Sequence, residues 1–415
     1  MKFGGTSVAG AEDIKRAARR IVAAREGGSR VVAVLSARGK TTDDLDRMAH
    51  EVSDVPDPRE MDMLLSVGER ISCALCAMAI NDLGHRAVSL TGSQAGIVTD
   101  SSHTKARILD VRADRIRDAL GEDRIVLVAG FQGVSTERDV TTLGRGGSDT
   151  TAVALAAALD ADVCEIYTDV AGVFSADPRI VPEARKMPVV SFEEMLEMAA
   201  SGAGVLQLRS VEYARNYGIR IHCRSSFDEA TGTLVVGEDE TMERPLVTAV
   251  THTADEARVT LTGVRDEPGI AGRIFSALED ANVNVDMIIQ NEPVGDDEKA
   301  DLSFTVPRSD LDAARGAIET LGAGEGVQTD DRIGKVSIVG VGMRSYPGVA
   351  AKVFRTLGEG GINIEMISTS PIKISCVIGA DEVPEAVRTL HSAFELGDGA
   401  IQPEDPAGDH RPTVS

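Results

Sequence analysis

Two glycine-rich stretches carry the residues best suited to phosphate chemistry. One spans Lys2 to Ser7 and reads Lys-Phe-Gly-Gly-Thr-Ser, and the other spans Gly144 to Asp149 and reads Gly-Arg-Gly-Gly-Ser-Asp. Glycine lets a backbone approach a ligand closely, and the free amides at a helix start attract anions. Lys2 and Arg145 add full positive charges to these turns. Because phosphoryl transfer depends mainly on positioning and charge neutralisation, the two stretches together predict opposite ends of such a site.

The chemistry of the acceptor is suggested by the lack of an obvious general base. His50, His85, His103 and His222 all lie away from the glycine motifs. An acceptor that is already anionic, such as a carboxylate with a pKa of about 3.9, needs no deprotonation. Its difficulty is repulsion by the triphosphate, which lysine, arginine, magnesium and helix amides relieve. The pattern therefore favours a carboxylate acceptor.

The local sequence also permits plainer interpretations. Glu69 could be an ordinary helix residue, and Ser148 could be a helix cap. Asp177 and Arg179 could form a surface ion pair. The C-x-x-C of Cys73 and Cys76 lies in a helical pattern with no second pair or nearby histidine. We therefore expect reduced core cysteines rather than a metal or redox site.

The elements that must position these residues divide the chain into two parts. The first part alternates short apolar runs with helical patterns, which is typical of an α/β domain. A polar connector over 237–244 ends it. The second part repeats itself: the segments 259–264, 268–271 and 282–288 are echoed at 336–341, 347–350 and 361–367. Each copy reads strand, Pro-Gly turn, helix, strand, which predicts a tandem pair of small α+β modules.

Composition restricts the classes of partner. The chain has 415 residues, with 43 Lys+Arg against 66 Asp+Glu and a formal charge of -23. Such acidity disfavours general binding to nucleic acid or anionic membranes. No apolar run suggests a membrane span, and no signal peptide precedes the first motif, so we expect a cytoplasmic protein.

Several motifs, taken in order, closely resemble aspartokinase. They are Lys-Phe-Gly-Gly-Thr-Ser at the start, Gly-Glu-Arg-Ile-Ser at 68–72, Gly-Arg-Gly-Gly-Ser-Asp-Thr-Thr-Ala at 144–152, and Tyr-Thr-Asp-Val-Ala-Gly-Val-Phe-Ser-Ala-Asp-Pro-Arg at 167–179. The resemblance covers nearly the whole chain and is closest to monofunctional enzymes with tandem ACT domains, like the lysine- and threonine-sensitive actinobacterial group. It implies an α/β amino-acid-kinase (carbamate-kinase-like) three-layer domain over 1–237 and a linker over 238–256. It further implies two α+β ferredoxin-like ACT domains over 257–325 and 335–397, and a flexible tail over 398–415.

The resemblance implies one reaction, and two alternative functions are weighed against it. The family phosphorylates the β-carboxylate of L-aspartate with Mg-ATP, giving 4-phospho-L-aspartate and ADP. This is the first step of lysine, threonine, methionine and diaminopimelate biosynthesis, and it is regulated through the ACT domains by lysine, threonine or both. One rival is another amino-acid kinase, such as one acting on glutamate, against which the ACT repeat argues. Another is a catalytically inactive amino-acid sensor that retains the kinase fold.

The resemblance also implies roles for individual residues. Lys2 and Asp149 are the catalytic pair, in which Asp149 orients Lys2. The expected ATP-binding residues are Lys2, Phe3, Gly4, Gly5, Ser7, Tyr167, Thr168, Asp169, Phe174, Ser175, Asp177, Pro178 and Arg179. The expected substrate-binding residues are Ser36, Thr42, Glu69, Arg145, Gly146, Gly147 and Ser148, with Arg145 on the α-carboxylate and Glu69 on the ammonium. No protein metal ligand is expected, because Mg²⁺ would be held through the ATP phosphates.

Effector binding is expected at the Pro-Gly turn of the first ACT domain and a partner surface on the second. The expected residues are Asp266, Gly269, Ile270, Ala271, Asn284, Asp286, Gln290, Asn363, Ile364, Glu365 and Ser368. A homo-oligomer through the ACT domains is expected. An internal start at Met242 would add a separately translated regulatory subunit made of both ACT repeats.

Two features depart from the family pattern. The triplet Gly202-Ala203-Gly204 stands where many relatives carry Gly-Ala-Lys or Gly-Ser-Lys, so a second phosphate lysine is unassigned. Arg179 or a helix amide could stand in for it. Relatives also place a full strand before the lysine of the first motif, whereas Lys2 follows the initial methionine directly. We therefore expect that extending the chain upstream raises stability or activity.

Overall fold

A computed structural model describes residues 1–238, 246–290 and 299–397 of the chain. The predicted internal start at Met242 and the predicted tail over 398–415 lie outside these residues. The described residues form two parts, each built on its own main sheet.

The first part has twelve strands and eight helices among its described residues. The strands are β1 (Lys2–Phe3), β2 (Val32–Leu35), β3 (Ala87–Leu90), β4 (Ile97–Thr99), β5 (Ile108–Val111), β6 (Ile125–Ala129), β7 (Gln132–Ser135), β8 (Val140–Thr142), β9 (Cys164–Thr168), β10 (Val189–Ser191), β11 (Ile221–Ser225) and β12 (Thr233–Val236). The helices are α1 (Ala11–Glu26), α2 (Thr41–Val52), α3 (Pro58–Leu65), α4 (Val67–Asp82), α5 (Asp114–Gly121), α6 (Gly147–Ala158), α7 (Phe192–Ala200) and α8 (Leu208–Tyr217).

Eight of these strands form one sheet in the order β10-β12-β11-β9-β1-β2-β6-β3. Neighbouring strands from β11 to β3 are parallel, whereas β12 runs antiparallel to β11. The carboxyl ends of β9, β1, β2 and β6 therefore lie along one edge. This edge is where open α/β sheets place their ligands.

Helices cover both faces of this sheet, which confirms the predicted three-layer α/β domain. Alternate residues of each central strand enter different cores, as Ala33 and Leu35 do on one side and Val34 on the other. Helices α1 and α4 pack on the first face, and α5 to α8 pack on the second. Cys73 and Cys76 are buried free cysteines on α4, as predicted.

A second, four-stranded sheet in the order β5-β4-β7-β8 was not predicted. Its strands β4 and β5 precede β6, whereas β7 and β8 follow the turn after β6 and lead directly into the loop before α6. The Leu143 N–H donates to the Phe131 oxygen at 2.9 Å, so this sheet holds the start of α6 beside the end of β6.

The helical pattern over 59–83 forms two helices, α3 and α4, which meet at Ser66. Among the described residues, the stretch Pro58–Asp82 is the one long and apolar enough to cross a membrane by length and composition alone. Half of its apolar window is buried inside the protein, and core helices of soluble proteins pass the same test. Its carboxylates Asp62 and Glu69 are buried among protein groups.

The second part contains six strands and four helices in its described residues. The strands are β13 (Ala249–Arg265), β14 (Ile288–Gln290), β15 (Lys299–Pro307), β16 (Gly326–Val339), β17 (Met366–Ser370) and β18 (Lys373–Gly379). The helices are α9 (Ile270–Asp280), α10 (Leu311–Leu321), α11 (Val349–Glu359) and α12 (Val383–Ala393). One antiparallel sheet joins all six strands in the order β14-β15-β13-β16-β18-β17.

The two modules of this sheet are interleaved rather than strictly consecutive. The start of β13 pairs with the end of β16, from Ala249 opposite Val339 to His252 opposite Val336. The remainder of β13 pairs with β15 and with the start of β16. The second module therefore takes one strand from residues 249–256, which were predicted as linker. That prediction is wrong for these residues, because the run Thr-His-Thr-Ala-Asp-Glu is too polar to show as a strand.

The core of the second module also includes residues of the first part. Ala176, Val181 and Ala184 belong to the same apolar cluster as Val353 of α11 and Leu390 of α12. The segment between β9 and β10 is therefore a structural element of both parts.

Candidate active site

The loops that follow β1 and β2 are in direct contact at the carboxyl edge of the sheet. The Gly39 N–H donates to the Gly5 oxygen at 3.0 Å. A Cβ on Gly5 would lie 2.9 Å from the Ala37 oxygen, so a larger residue would push the two loops apart. The glycine is therefore required by this close approach.

Lys2 and Asp149 form a nearly buried ion pair at the centre of this edge. The Lys2 Nζ lies 2.6 Å from Asp149 Oδ1, and the two side chains are 12% and 9% exposed. That oxygen has no hydrogen bond of regular geometry, so the contact is one of charge. A Cβ on Gly4 would lie 3.5 Å from Lys2 Nζ, so bare backbone adjoins the ammonium. The predicted pair thus comes together from β1 and α6.

The start of α6 is shaped by two glycines in the left-handed region. Gly144 has φ 75° and Gly146, at the N-cap, has φ 73°. A Cβ on Gly146 would lie 2.3 Å from the side chain of Gln207. Because Gly146 holds the N-cap, the alternative of Ser148 as the helix cap is wrong. Arg145 between them is exposed and makes no hydrogen bond or ion pair with the part of the chain that the structure describes.

Glu69 is buried with half of its carboxylate unsatisfied. Its side chain lies on the first turn of α4, and the residue is 3% exposed. Oε1 accepts from the Ala37 N–H at 3.0 Å, whereas Oε2 is buried without a hydrogen-bond partner. Burial raises the pKa of Glu69 to about 7. A buried carboxylate oxygen of this kind is stabilised only when a cation or donor reaches it.

The other residues predicted to bind substrate lie around the same loops. Ser36 directly follows β2 and donates its N–H to the Phe3 oxygen at 3.1 Å. Thr42 is in the first turn of α2. Gly147 and Ser148 are buried at the start of α6, and a Cβ on Gly130 after β6 would lie 2.7 Å from Ser148 Oγ.

The residues predicted to bind nucleotide divide into two groups. The rings of Phe3 and Tyr167 are buried and stacked with centroids 4.8 Å apart, so only their backbones face the loops. The Gly4 N–H donates to the Tyr167 oxygen at 3.3 Å. The hydroxyl of Thr168, the last residue of β9, then donates to Asp169 Oδ1 at 3.1 Å. Ser7 Oγ accepts from Ser226 Oγ at 2.6 Å and is buried, which ties its hydroxyl to the loop after β11.

The second group lies on the segment between β9 and β10. Asp177 and Arg179 form an ion pair at 2.7 Å with the arginine 90% exposed, beside exposed Pro178. Ser175 is fully buried, and its hydroxyl hydrogen bonds to His391 Nε2 at 2.9 Å and donates to the Leu396 oxygen at 3.1 Å. Phe174 packs against the core of the second module. The side chains of Phe174 and Ser175 thus serve the junction of the two parts.

Gly204, which stands where many relatives carry a lysine, has empty space around it. Gly204 is exposed, and no atom would lie within 4 Å of a Cβ there. The charge of Arg179, which could replace a lysine at this point, is already paired with Asp177. No structural reason for the glycine emerges from its surroundings.

The residues predicted to bind effectors lie on both modules of the second sheet. Gly269 caps α9 with φ 93°, so Ile270 and Ala271 open that helix after Asp266. Asp286 contacts the buried ammonium of Lys335, which also lies 2.8 Å from Glu256. Although burial acts to lower it, the pKa of Lys335 is raised by these two carboxylates. Asn284 lies between α9 and β14, and Gln290 ends β14. At the opposite edge of the sheet, Asn363, Ile364 and Glu365 precede β17 and Ser368 lies on it.

Sequence reasoning missed a buried polar cluster centred on Asp62. Asp62 on α3 accepts hydrogen bonds from Thr104 and Thr142 and contacts His103, next to the loop that carries Arg145. The sequence placed His103 in a polar loop, and nothing in the spacing of these residues links position 62 to positions 103 or 142.

Comparisons with known proteins cover most of the chain. The model of the amino acid kinase family matches residues 1–225, and the model of the ACT domain matches 259–320 and 336–394. The aspartokinase of Mycolicibacterium smegmatis is 57% identical over 402 residues, which cover 95% of this chain and 96% of that protein.

Solved structures give the same result. The E. coli aspartokinase III in complex with aspartate and ADP, in the R-state, is 25% identical with a TM-score of 0.80, covering 94% of this chain and 98% of that one. The T-state of the same enzyme, in complex with lysine and aspartate, is 26% identical with a TM-score of 0.75, covering 95% and 98%.

Proposed function

The chain belongs to the aspartokinase family and is an aspartate kinase, and we propose that its reaction takes place at the loops after β9, β1, β2 and β6. The γ-phosphoryl group of ATP is transferred to the β-carboxylate of L-aspartate, which gives 4-phospho-L-aspartate and ADP. This product starts the biosynthesis of lysine, threonine, methionine and diaminopimelate.

The unsatisfied oxygen of Glu69 is the observation that carries the proposed aspartate site. A substrate ammonium at Oε2 would complete the hydrogen bonding of this carboxylate and keep it ionised. Arg145 is free to take the α-carboxylate through two parallel N–H donors. Ser36, Thr42, Gly147 and Ser148, which follow β2 or lie at the starts of α2 and α6, are assigned to the remaining contacts with aspartate. A catalytically inactive sensor would have no need for the buried Lys2–Asp149 pair beside this site.

Lys2 acts on the transferring phosphoryl group in this proposal. Its ammonium is fixed by Asp149 at the end of β1, and the backbone of Gly4 and Gly5 leaves room for phosphate oxygens. A positive charge there lowers the repulsion between the phosphoryl group and the aspartate carboxylate. Because Lys2 is held in place before the substrates arrive, little reorganisation accompanies the transfer.

Magnesium would enter this site with the nucleotide. Within residues 1–238, 246–290 and 299–397, no group of three or more His, Cys, Asp or Glu side chains could hold a metal ion. Binding through phosphate oxygens is the usual mode for Mg²⁺ in kinases. Bound there, the ion would neutralise phosphate charge, while the protein supplies Lys2 and the helix amides.

The remaining nucleotide contacts are assigned to the loop after β9. The side chains of this group are that of Thr168, the last residue of β9, and those of Asp169, Asp177, Pro178 and Arg179, which lie between β9 and β10. Phe174 and Ser175 are reassigned to the junction, because their side chains pack against the second part.

Regulation is assigned to the ACT modules, with lysine, threonine or both as effectors. The turn from Asp266 to Ala271 offers free amides at the start of α9 for a carboxylate, and Asn284 and Asp286 lie beyond the same helix. A homo-oligomer through these modules would place Asn363, Ile364, Glu365 and Ser368 of a second copy near that turn. We propose a cytoplasmic enzyme on the same grounds of family and composition.

The test is ATP-dependent formation of aspartyl hydroxamate, with glutamate as the competing substrate. We expect turnover with aspartate, little with glutamate, and inhibition by lysine and threonine together. Lys2→Met should lower kcat by about a hundredfold or more, as is typical when one fixed charge donor is lost. Lys15→Met, which removes an exposed lysine paired with Glu12, is the matched control. Effector binding without turnover would instead identify an inactive sensor.

A further inference from the structure

A buried carboxylate on α3 connects two segments that border the proposed aspartate site. Asp62 is fully buried, and both of its oxygens accept from the Thr104 N–H, at 3.1 and 3.2 Å. Oδ1 also accepts from Thr142 Oγ1 at 2.5 Å, and Oδ2 lies 2.7 Å from His103 Nδ1. We propose that Asp62 and His103 are positioning residues that hold the Gly144–Gly147 loop, and with it Arg145, in place for the substrate carboxylate.

The backbone at Thr104 shows that the arrangement is imposed from outside the loop. Thr104 has φ 65°, which a β-branched residue adopts only under constraint. Such conformations persist when the surrounding contacts overdetermine them, and they are concentrated at functional sites. The two hydrogen bonds to Asp62 supply that constraint. Without them, the loop from Ser102 to Lys105 would relax toward ordinary backbone angles.

Thr104 in turn borders the loop that carries Arg145. A Cβ on Gly144 would lie 3.1 Å from the Thr104 oxygen and 3.8 Å from the Lys105 Cα. Gly144 itself has φ 75°, so neither its conformation nor its surroundings accept a side chain. The position of Thr104 therefore determines where Gly144 can lie.

Further hydrogen bonds join the same two segments. The Ala106 N–H donates to the Thr142 oxygen at 2.9 Å. Arg209 on α8 donates to the Leu143 oxygen at 3.1 Å and to the Ala106 oxygen at 3.0 Å. The chain is thus held on both sides immediately before Gly144. Arg145, which has no partner among the described residues, takes its position entirely from this backbone.

His103 completes the hydrogen bonding of Asp62 at the solvent side of the cluster. Its side chain is 21% exposed, whereas that of Asp62 is not exposed at all. With Nδ1–H directed at the carboxylate, each oxygen of Asp62 has two partners, which a buried charge requires. Loss of this donor would leave the carboxylate short of one hydrogen bond and loosen its hold on Thr104.

The inference rests on the proposed role of Arg145, so the experiment includes both residues. Steady-state kinetics with varied aspartate and varied ATP would be measured for His103→Ala, His103→Asn and Arg145→Lys, together with thermal unfolding. His103→Ala should raise KM for aspartate about tenfold, the usual effect of one hydrogen bond to a charged group, while KM for ATP stays within about twofold. His103→Asn restores an N–H donor at nearly the same position and should recover most of the loss.

The matched control is His85→Ala. His85 lies just before the amino end of β3 and hydrogen bonds to Glu26, so it is at the edge of the sheet opposite the carboxyl ends of the strands. Its replacement should leave both KM values unaltered. If Arg145→Lys raises KM for aspartate but His103→Ala does not, the positioning role is wrong and the proposed site stands. If Arg145→Lys has no effect, the proposed site itself is wrong. A parallel rise in both KM values with lowered thermal stability would show that His103 only stabilises the fold.

Discussion

Replacing Glu69 by glutamine should stabilise the free enzyme and weaken its binding of aspartate. The residue is almost fully buried, and burial raises its pKa to about 7 from an ordinary value near 4.5. A carboxyl whose pKa is raised by folding favours the fold while it is protonated. That contribution is lost as the pH rises from about 4.5 through about 7. At pH 8 the ionised side chain therefore costs the free enzyme on the order of 3 kcal/mol.

Glutamine avoids this cost but cannot hold an ammonium ion as tightly. Its oxygen can still accept from the Ala37 N–H, and its amide occupies the place of the unpartnered Oε2. A hydrogen bond to a charged group contributes about 1.5–3 kcal/mol, so Glu69→Gln should raise KM for aspartate by roughly 10- to 150-fold. KM for ATP should change little, because Glu69 is assigned to the substrate ammonium.

The pH dependence of binding separates this explanation from a purely structural one. With a pKa near 7, the wild-type affinity for aspartate should fall about tenfold between pH 8 and pH 6, because only the ionised form binds the ammonium. Calorimetric titration with aspartate at both pH values measures this change. In Glu69→Gln the affinity should not vary over the same range.

The control is Glu60→Gln, which changes an exposed glutamate paired with Arg59. It should alter neither stability nor aspartate affinity by a measurable amount. The reasoning is refuted if Glu69→Gln lowers the unfolding temperature at pH 8, or if it binds aspartate as tightly as the wild type does.

Three further changes test the junction, a loop and the second sheet. Burial lowers the pKa of His391 at the junction, so the contribution of the neutral imidazole to stability is present above about pH 6.5. This contribution is lost as the pH falls through the lower pKa of the folded state. In His391→Gln, the unfolding temperature should therefore vary less with pH over this acidic range. Gly202→Ala would place a Cβ 2.0 Å from a backbone oxygen of β13 at a φ of 104°, and it should lower the free energy of unfolding by about 3 kcal/mol or more. A Cβ at Gly204 would have no atom within 4 Å, so Gly204→Ala should leave the free energy of unfolding in urea unchanged or slightly raised. Lys335→Met leaves Glu256 and Asp286 without their shared ammonium and should lower the free energy of unfolding in urea by about 3 kcal/mol. Lys299→Met, which removes an exposed ion pair with Glu325, should lower it by less than about 1 kcal/mol.

The convergence of the candidate site residues at one edge of the sheet could be predicted because these residues lie next to strong local signals. Ser36 stands at the end of an apolar run, Gly4 and Gly5 mark a turn just after Lys2, and the Gly144–Asp149 turn precedes an alanine-rich helix. Parallel strands bring such positions to one edge of a sheet whatever the intervening chain does. The contact of Lys2 with Asp149 follows from that geometry, since β1 lies in the middle of the sheet and α6 packs on it.

Other features depend on contacts that have no local signal. The strands Ile97–Thr99 and Val140–Thr142 are three residues long and mixed in polarity, so their pairing in the small sheet gives no periodic pattern. Ser175 reads as part of a nucleotide motif, yet its hydroxyl bonds to a helix more than two hundred positions later. The burial of Asp62 likewise depends on the loop with His103 and Thr104, about forty positions later in the sequence.

The interleaving of the ACT modules explains how the second part can act on the first. Strand β13 contributes to both modules, and the Val250 N–H near its start donates to the Ser175 oxygen at 2.8 Å. Ser175 also bonds to His391 on α12, and it precedes Asp177, which we assign to nucleotide binding, by two positions. An effector shifts an equilibrium only if it binds two arrangements of the protein with different affinity. A displacement of β13 or α12 therefore either breaks these hydrogen bonds or moves Ser175 together with the segment that bears Asp177 and Arg179.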